Sequence, residues 1–138
     1  MFTKPNGKLE LNGNSIGRDG AEALAKALAV NSALTSVNLL QNRLDVPTAQ
    51  SLAGILKGHP SLKTLCGIEE GATEANFEAC QLQPADGFLV ASDLAVNRAL
   101  TSLDTRNNNI TGEGAKALSE AVLQSASIQI FGKVPLAD

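Results

Sequence analysis

The residues able to do chemistry are few, and their spacing limits what each can do. His59 is the single histidine, and the two cysteines, Cys66 and Cys80, lie 14 residues apart. A four-ligand zinc site needs more such residues at regular spacings, so no metal site is expected. Cys66 and Cys80 could in principle pair. However, Cys80 occupies a slot where an inward side chain is expected, which points to a reduced, buried thiol. The string "GEGAKA" at 112–117 mimics a dinucleotide fingerprint. It aligns with "GRDGAE", displaced by one position, and with "VPTAQS", both plain helix starts, so no cofactor is expected. Asn109-Ile110-Thr111 matches a glycosylation acceptor in form only. No G-x-S-x-G elbow, P-loop or H-E-x-x-H string occurs, and the reading is of a non-enzyme.

The densest charge is acidic. Glu69, Glu70, Glu74 and Glu78 crowd one stretch. They read either as a docking loop for a basic partner or as an excursion kept in water by its own glutamates. With net charge -3, no basic stripe, four Phe and neither Tyr nor Trp, nucleic-acid binding is disfavoured. The apolar residues never run for 18 positions, so no membrane span is expected. The opening "MFTKPNGKLE" lacks a secretory apolar stretch, which favours a cytoplasmic home.

These residues are positioned by a 28-residue repeat, plainest in "LELNGNSIG", "VNLLQNRL" and "LDTRNNNI". Aligning Asn14, Asn42 and Asn108 brings Leu9, Leu11 and Ile16 into step with Val37, Leu39 and Leu44, and with Leu103, Thr105 and Ile110. A further copy, "ANFEACQL", places Ala75, Phe77 and Leu82 in those slots, with Cys80 where the others carry Asn. Alternating apolar residues predict a short strand with one face inward. A turn follows, in which Asn can bond unpaired backbone groups, and the thiol at Cys80 should leave the third turn least tightly held.

A helix follows each turn. Ala21, Leu24, Ala25 and Leu28 form one stripe, repeated by Ala49, Leu52, Ala53 and Leu56, by Gly87, Val90, Ala91 and Leu94, and by Ala115, Leu118, Ser119 and Val122. Gly17, Asp45 and Thr111 are the expected first positions, and Pro84 follows Gln83 in a tolerated first turn. Asn31, His59, Asn97 and Ser125 close the helices at aligned positions, so His59 reads as a helix-end residue favoured by the dipole.

The period breaks once. Asn42 to Cys80 is 38 residues, ten more than the regular step, with the surplus near 66–74. "TLCGI" and "EANFE" could pair as a hairpin, with Gly71 supplying the positive φ such turns need.

Strand–turn–helix units of this length stack in parallel. The expected fold is therefore an α/β solenoid, a horseshoe section with parallel strands on the concave face and helices on the convex one. One domain over 1–138 is expected, of about four units plus a terminal strand. The strand residues alternating with the core form the expected protein-binding face: Glu10, Asn12, Asn38, Leu40, Asn76, Glu78, Asp104 and Arg106. Leu40 and Arg106 are the best contact candidates, and Glu69, Glu70 and Glu74 of the insertion join them.

"LNGNSIGRDGAEALAKALAVNSALTSVNLLQNRL" and "RNNNITGEGAKALSEAV" resemble the ribonuclease-inhibitor-like class of leucine-rich repeats, over about residues 8 to 131. That class also occurs in the sensor ends of innate-immune receptors and in Ran GTPase-activating proteins. The resemblance implies a protein-interaction scaffold with an unidentified protein partner. Its alternatives are a GTPase-activating regulator, for which Arg18, Arg43 and Arg106 could serve electrostatically, and a structural repeat segment of a larger receptor-like protein. The terminal units carry no separate caps. The chain is therefore expected either to be a fragment of a longer array or to self-associate through its ends, with minimal lids made by Phe2, Phe131, Val134 and Leu136 as the other expectation.

Overall fold

The computed structural model of the chain describes residues 7–132 and 134–136. Its elements alternate: β1 (Lys8–Glu10), α1 (Gly17–Val30), β2 (Ser36–Asn38), α2 (Val46–Leu56), β3 (Glu74–Asn76), α3 (Pro84–Val96), β4 (Ser102–Asp104), α4 (Gly112–Gln124), β5 (Ile130–Phe131) and β6 (Val134–Pro135). β1 and β2 pair in parallel with Leu9 opposite Val37, and β3, β4 and β5 with Ala75 opposite Leu103 and Leu103 opposite Phe131. The repeat thus stacks as adjacent rungs. Leu9, Val37 and Leu103 point inward onto buried helix residues, among them Leu24, Leu28, Leu52, Leu56, Val90, Leu94, Leu118 and Val122. Burying each such side chain stabilises by roughly 1.5–3 kcal/mol.

The helix stripes hold with two amendments. In α3 both Asp86 and Asp93 are buried beside the apolar stripe. In α4 Ser119 is exposed, and Gly114 is buried instead. Asp45 caps α2, its carboxylate accepting from the Thr48 N–H at 2.8 Å, and Gln83 and Asp86 form a reciprocal capping box on α3. Gly17 does not cap α1; Ile16 precedes it, and Gly17 opens the helix with φ 73.

The equivalence of the helix-end residues holds to the atom. Asn31 Oδ1 accepts from the N–H groups of Ala33 and Leu34, and Asn97 Oδ1 from those of Ala99 and Leu100. Ser125 Oγ does the same for Ser127 and Ile128, and His59 Nδ1 for Ser61 and Leu62. His59 Nε2 then donates to the Leu28 carbonyl at 2.8 Å. The imidazole thus serves the next turn as a hydrogen-bond acceptor.

The third rung is split. Thr64 bridges Ser36 in parallel, Cys66 bridges Asn38, and the Val37 and Leu39 N–H groups donate to the Thr64 and Leu65 carbonyls at 3.1 and 2.9 Å. The chain then leaves and returns as β3, which pairs with β4 alone. The expected hairpin between "TLCGI" and "EANFE" does not form, because each arm already pairs with a different rung. Gly71 does take φ 80, beside a turn closed by the Ala72 N–H on the Glu69 carbonyl.

At the far end β6 folds back antiparallel on β5, and Phe131 and Leu136 pack against the core as a lid. Phe2 and the side chain of Val134 lie outside the described residues.

Close approach, not conformational freedom, explains two glycines. A Cβ on Gly114 would stand 2.0 Å from the Pro84 carbonyl oxygen, and one on Gly87 2.6 Å from the Gly114 oxygen. Helix propensity alone favours Gly114→Ala by about 1 kcal/mol. The contact reverses the sign: this substitution is expected to destabilise by about 1–3 kcal/mol in urea unfolding. A stabilised variant would show that α3 and α4 are not in this contact.

Candidate functional site

What holds the strand face in place is the turn at the end of each strand. These turns run through left-handed backbone at Gly13 and Ser15, Gln41 and Arg43, Ala79 and Gln81, and Asn107. Left-handed conformations cost ordinary residues energy and persist only where surroundings impose them. One asparagine imposes two turns at once. Asn42 Oδ1 accepts from the Asn14 and Ile16 N–H groups at 2.9 and 3.4 Å, while its Nδ2 donates to the Leu11, Leu39 and Leu40 carbonyls. Asn108 repeats this for Cys80 and Leu82 at 3.0 and 2.9 Å, and for Phe77, Thr105 and Arg106.

Each of these two asparagines therefore stabilises the turn of the unit before it. The weakness expected at Cys80 falls one turn earlier. Cys80 is half-buried rather than buried, and its Sγ reaches only the Glu78 carbonyl at 3.5 Å. The second turn is served instead by Asp86, which accepts from the Gln41 N–H at 3.2 Å and the Gln83 N–H at 2.9 Å. Gln41 adds a side-chain bond to the Cys80 carbonyl. Burial raises the Asp86 carboxyl above its ordinary range, against the pull of those two N–H groups.

Asp93 repairs the split rung in the same way. It is 1% exposed, and accepts from the Leu65 N–H at 2.8 Å and from the Thr64 hydroxyl. Burial pushes its carboxyl up to about 6, partly offset by these donors and by Cys66. The buried Cys66 thiol is in turn pushed well up, first by burial and then by Asp93. Sequence reasoning missed Asp93. The available signal was a charge in a row where the other units carry Ala27, Ile55 and Ala121.

The candidate face residues separate into three groups by exposure. Glu10, Asn12, Asn76 and Arg106 are exposed, and Asn38 and Glu78 are partly covered. Leu40, a leading contact candidate, is 4% exposed and belongs to the core, and Asp104 is 7% exposed. The insertion bends back over the β1–β2 side. Its exposed Glu69 pairs with Lys8, and a Cβ on Gly67 would stand 3.0 Å from the Asn38 side chain. Glu70 and Glu74 are exposed.

Two hollows flank this arrangement. One, of about 400 Å³, lies by the insertion and is lined by Ser36, Lys63, Ile68, Glu70 and Arg98 among others. The other, of about 350 Å³, is lined by Glu74, Ala75, Asn76, Ser102, Asp104 and Ile130. Arg106 closes bidentately on Asp104 at 3.0 and 2.9 Å and stands 3.7 Å from Glu78. Its aliphatic stem lies beside Gly132, so it is committed to the face. Arg18 pairs with Glu22 on α1, and Arg43 sits in the second turn, so the three arginines do not converge. Among the described residues no group of three or more His, Cys, Asp or Glu could hold a metal, and no helix is long and apolar enough to cross a membrane.

Parallel strands in 28-residue register, each followed by a polar-held turn and a helix, define an α/β repeat architecture. A family profile described as Leucine Rich repeat matches residues 8–25 and 96–119. A sequence search of curated proteins finds no match. Among solved structures, the tropomodulin C-terminal domain of Caenorhabditis elegans is 16% identical, with TM-score 0.54 over 97% of this chain and 76% of that one. Leiomodin-1 Actin-Binding Site 2 is 16% identical, with TM-score 0.51 over 91% and 69%. At such identities the likeness is one of fold. Residues 8–25 and 96–119 carry leucine-rich-repeat sequence, within a fold like that of these two domains.

The buried polar groups can be tested in two ways. Asn42→Ala strands donors and acceptors of two turns and is expected to cost about 2–4 kcal/mol, against under about 1 for the exposed Asn14→Ala. Equal losses in chemical denaturation would refute the two-turn role. For Asp93 the folded state binds the proton more tightly than the unfolded chain, whose carboxyl lies near 3.8. Its contribution is therefore fully present below about pH 4 and lost as pH rises through about 6, a change on the order of 2–3 kcal/mol. Asp93→Asn should remove that part of the slope in urea midpoints between pH 4 and 7. An unchanged slope would mean that Asp93 titrates normally.

Proposed function

We propose that the chain is a non-catalytic protein-binding module of the ribonuclease-inhibitor-like class. It is a section of leucine-rich-repeat solenoid that takes a protein partner on its concave strand face. The observation carrying this reading is the ordered display of Glu74, Asn76 and Ser102 on strands fixed in register, with Arg106 held beside them by Asp104. Neighbouring strands stand about 4.8 Å apart, and a face whose backbone is held from behind loses little freedom on binding. Solenoids use such extended surfaces for partners. The similar leiomodin-1 domain is an actin-binding site, which makes purified actin the first candidate to test.

Affinity capture from cell extract, with the intact chain and with Asn76→Arg, tests the proposal. A protein held by the intact chain and lost with Asn76→Arg is expected, while Glu22→Lys on the helical side leaves capture unchanged. Capture indifferent to Asn76→Arg, or abolished by Glu22→Lys alone, would move the interface off the strand face.

A further inference from the structure

The strand face is divided by the insertion. On the β1–β2 side Glu69 engages Lys8, Gly67 abuts Asn38, and Ser36 and Leu40 are buried. On the β3–β5 side the face opens into the hollow of about 350 Å³, and no residue of the insertion before Glu74 lines it. Its charged lining is acidic, Glu74 and Asp104, and Glu74 has no ion-pair partner among the described residues. The adjoining cation, Arg106, is turned onto Asp104 and Glu78. Ile130 lines the same hollow and is 38% exposed, a large aliphatic surface left on the sheet.

Glu74 and Ser102 are paired across β3 and β4, and Ser102 and Ile130 across β4 and β5, so the three lie in one row. Adjacent strands are about 4.8 Å apart, which sets Glu74 and Ile130 roughly 10 Å apart at their backbones. In an extended segment crossing the strands, residues two apart share a side and stand about 7 Å apart. A long cationic side chain over Glu74 therefore places the next same-side residue within reach of Ile130.

We propose that the β3–β5 half of the face binds an extended protein segment carrying a lysine or arginine two residues from an aliphatic side chain. The cation pairs with Glu74, and the aliphatic group covers Ile130. The insertion stays in place as the resident of the other half. This rests on the protein-binding reading above and specifies the partner's chemistry.

The test is NMR titration of the isotopically labelled full chain with a six-residue peptide in which two lysines each stand two residues before a valine, against the same peptide with glutamate for lysine. Amide shifts are expected at Ala75, Asn76, Ser102 and Ile130 with the lysine peptide only. Glu74→Lys should weaken binding about three- to tenfold, as loss and reversal of one exposed ion pair predicts. Ile130→Thr should weaken it as well, and Glu10→Lys on the covered half should not, with thermal melts confirming that each variant folds. Shifts centred on Glu10, Asn38 or the insertion, an equal response to the glutamate peptide, or no shift would each overturn the proposal. A partner captured from extract and lost with Asn76→Arg, alongside a silent lysine peptide, would leave the broader reading standing and remove this one.

Discussion

Every unit of this chain must turn from strand to helix through left-handed backbone, and that turn leaves buried amides and carbonyls without partners. The rest of the structure depends on how they are satisfied. A carboxamide suits the task because it both accepts and donates, so one side chain can close its own turn and the one before it. Asn42 does this at 0% exposure, where an unmade hydrogen bond is most costly. The Asn14 side chain is exposed and donates only within its own turn, to the Leu11 and Asn12 carbonyls. The order of the array is thus built into its polar groups as well as its leucines.

Where the asparagine is missing, the structure substitutes rather than loosens. Cys80 cannot donate and accept as an amide does, and a carboxylate from the following helix, Asp86, takes over the second turn. The split rung is held by the same chemistry, with Asp93 receiving the Thr64 hydroxyl and the Leu65 amide. A carboxylate accepts several N–H groups, yet in a buried place it carries a desolvation cost that raises its affinity for a proton. Both repairs therefore tie this middle region to pH in a way the asparagine turns do not.

The same break shapes the surface. By ending one arm of the third rung on β2 and starting the next on β4, the insertion crosses back over half of the strand face and leaves the other half open. Lys8, Asn38 and Leu40 are thereby absorbed into intramolecular contacts or the core, while Glu74, Asn76 and Ile130 remain outward. A pseudo-regular array acquires two unlike halves from a single irregular stretch.

The rungs, the helix stripes and the paired roles of Asn31, His59, Asn97 and Ser125 are legible in the chain's own order. Each unit packs on its neighbour, so a fixed step in sequence becomes a fixed step in space. The period alone sets Leu40 on the surface, gives no sign of the Glu69–Lys8 pair, and leaves Asp93 among ordinary helix residues. Those features depend on contacts spanning 61 residues for Lys8–Glu69 and 29 for Thr64–Asp93, set by how the insertion folds back. Periodicity encodes which side of a strand faces the core. Only the folded chain decides what comes to lie over the other side, because that contact is made by the one segment outside the period.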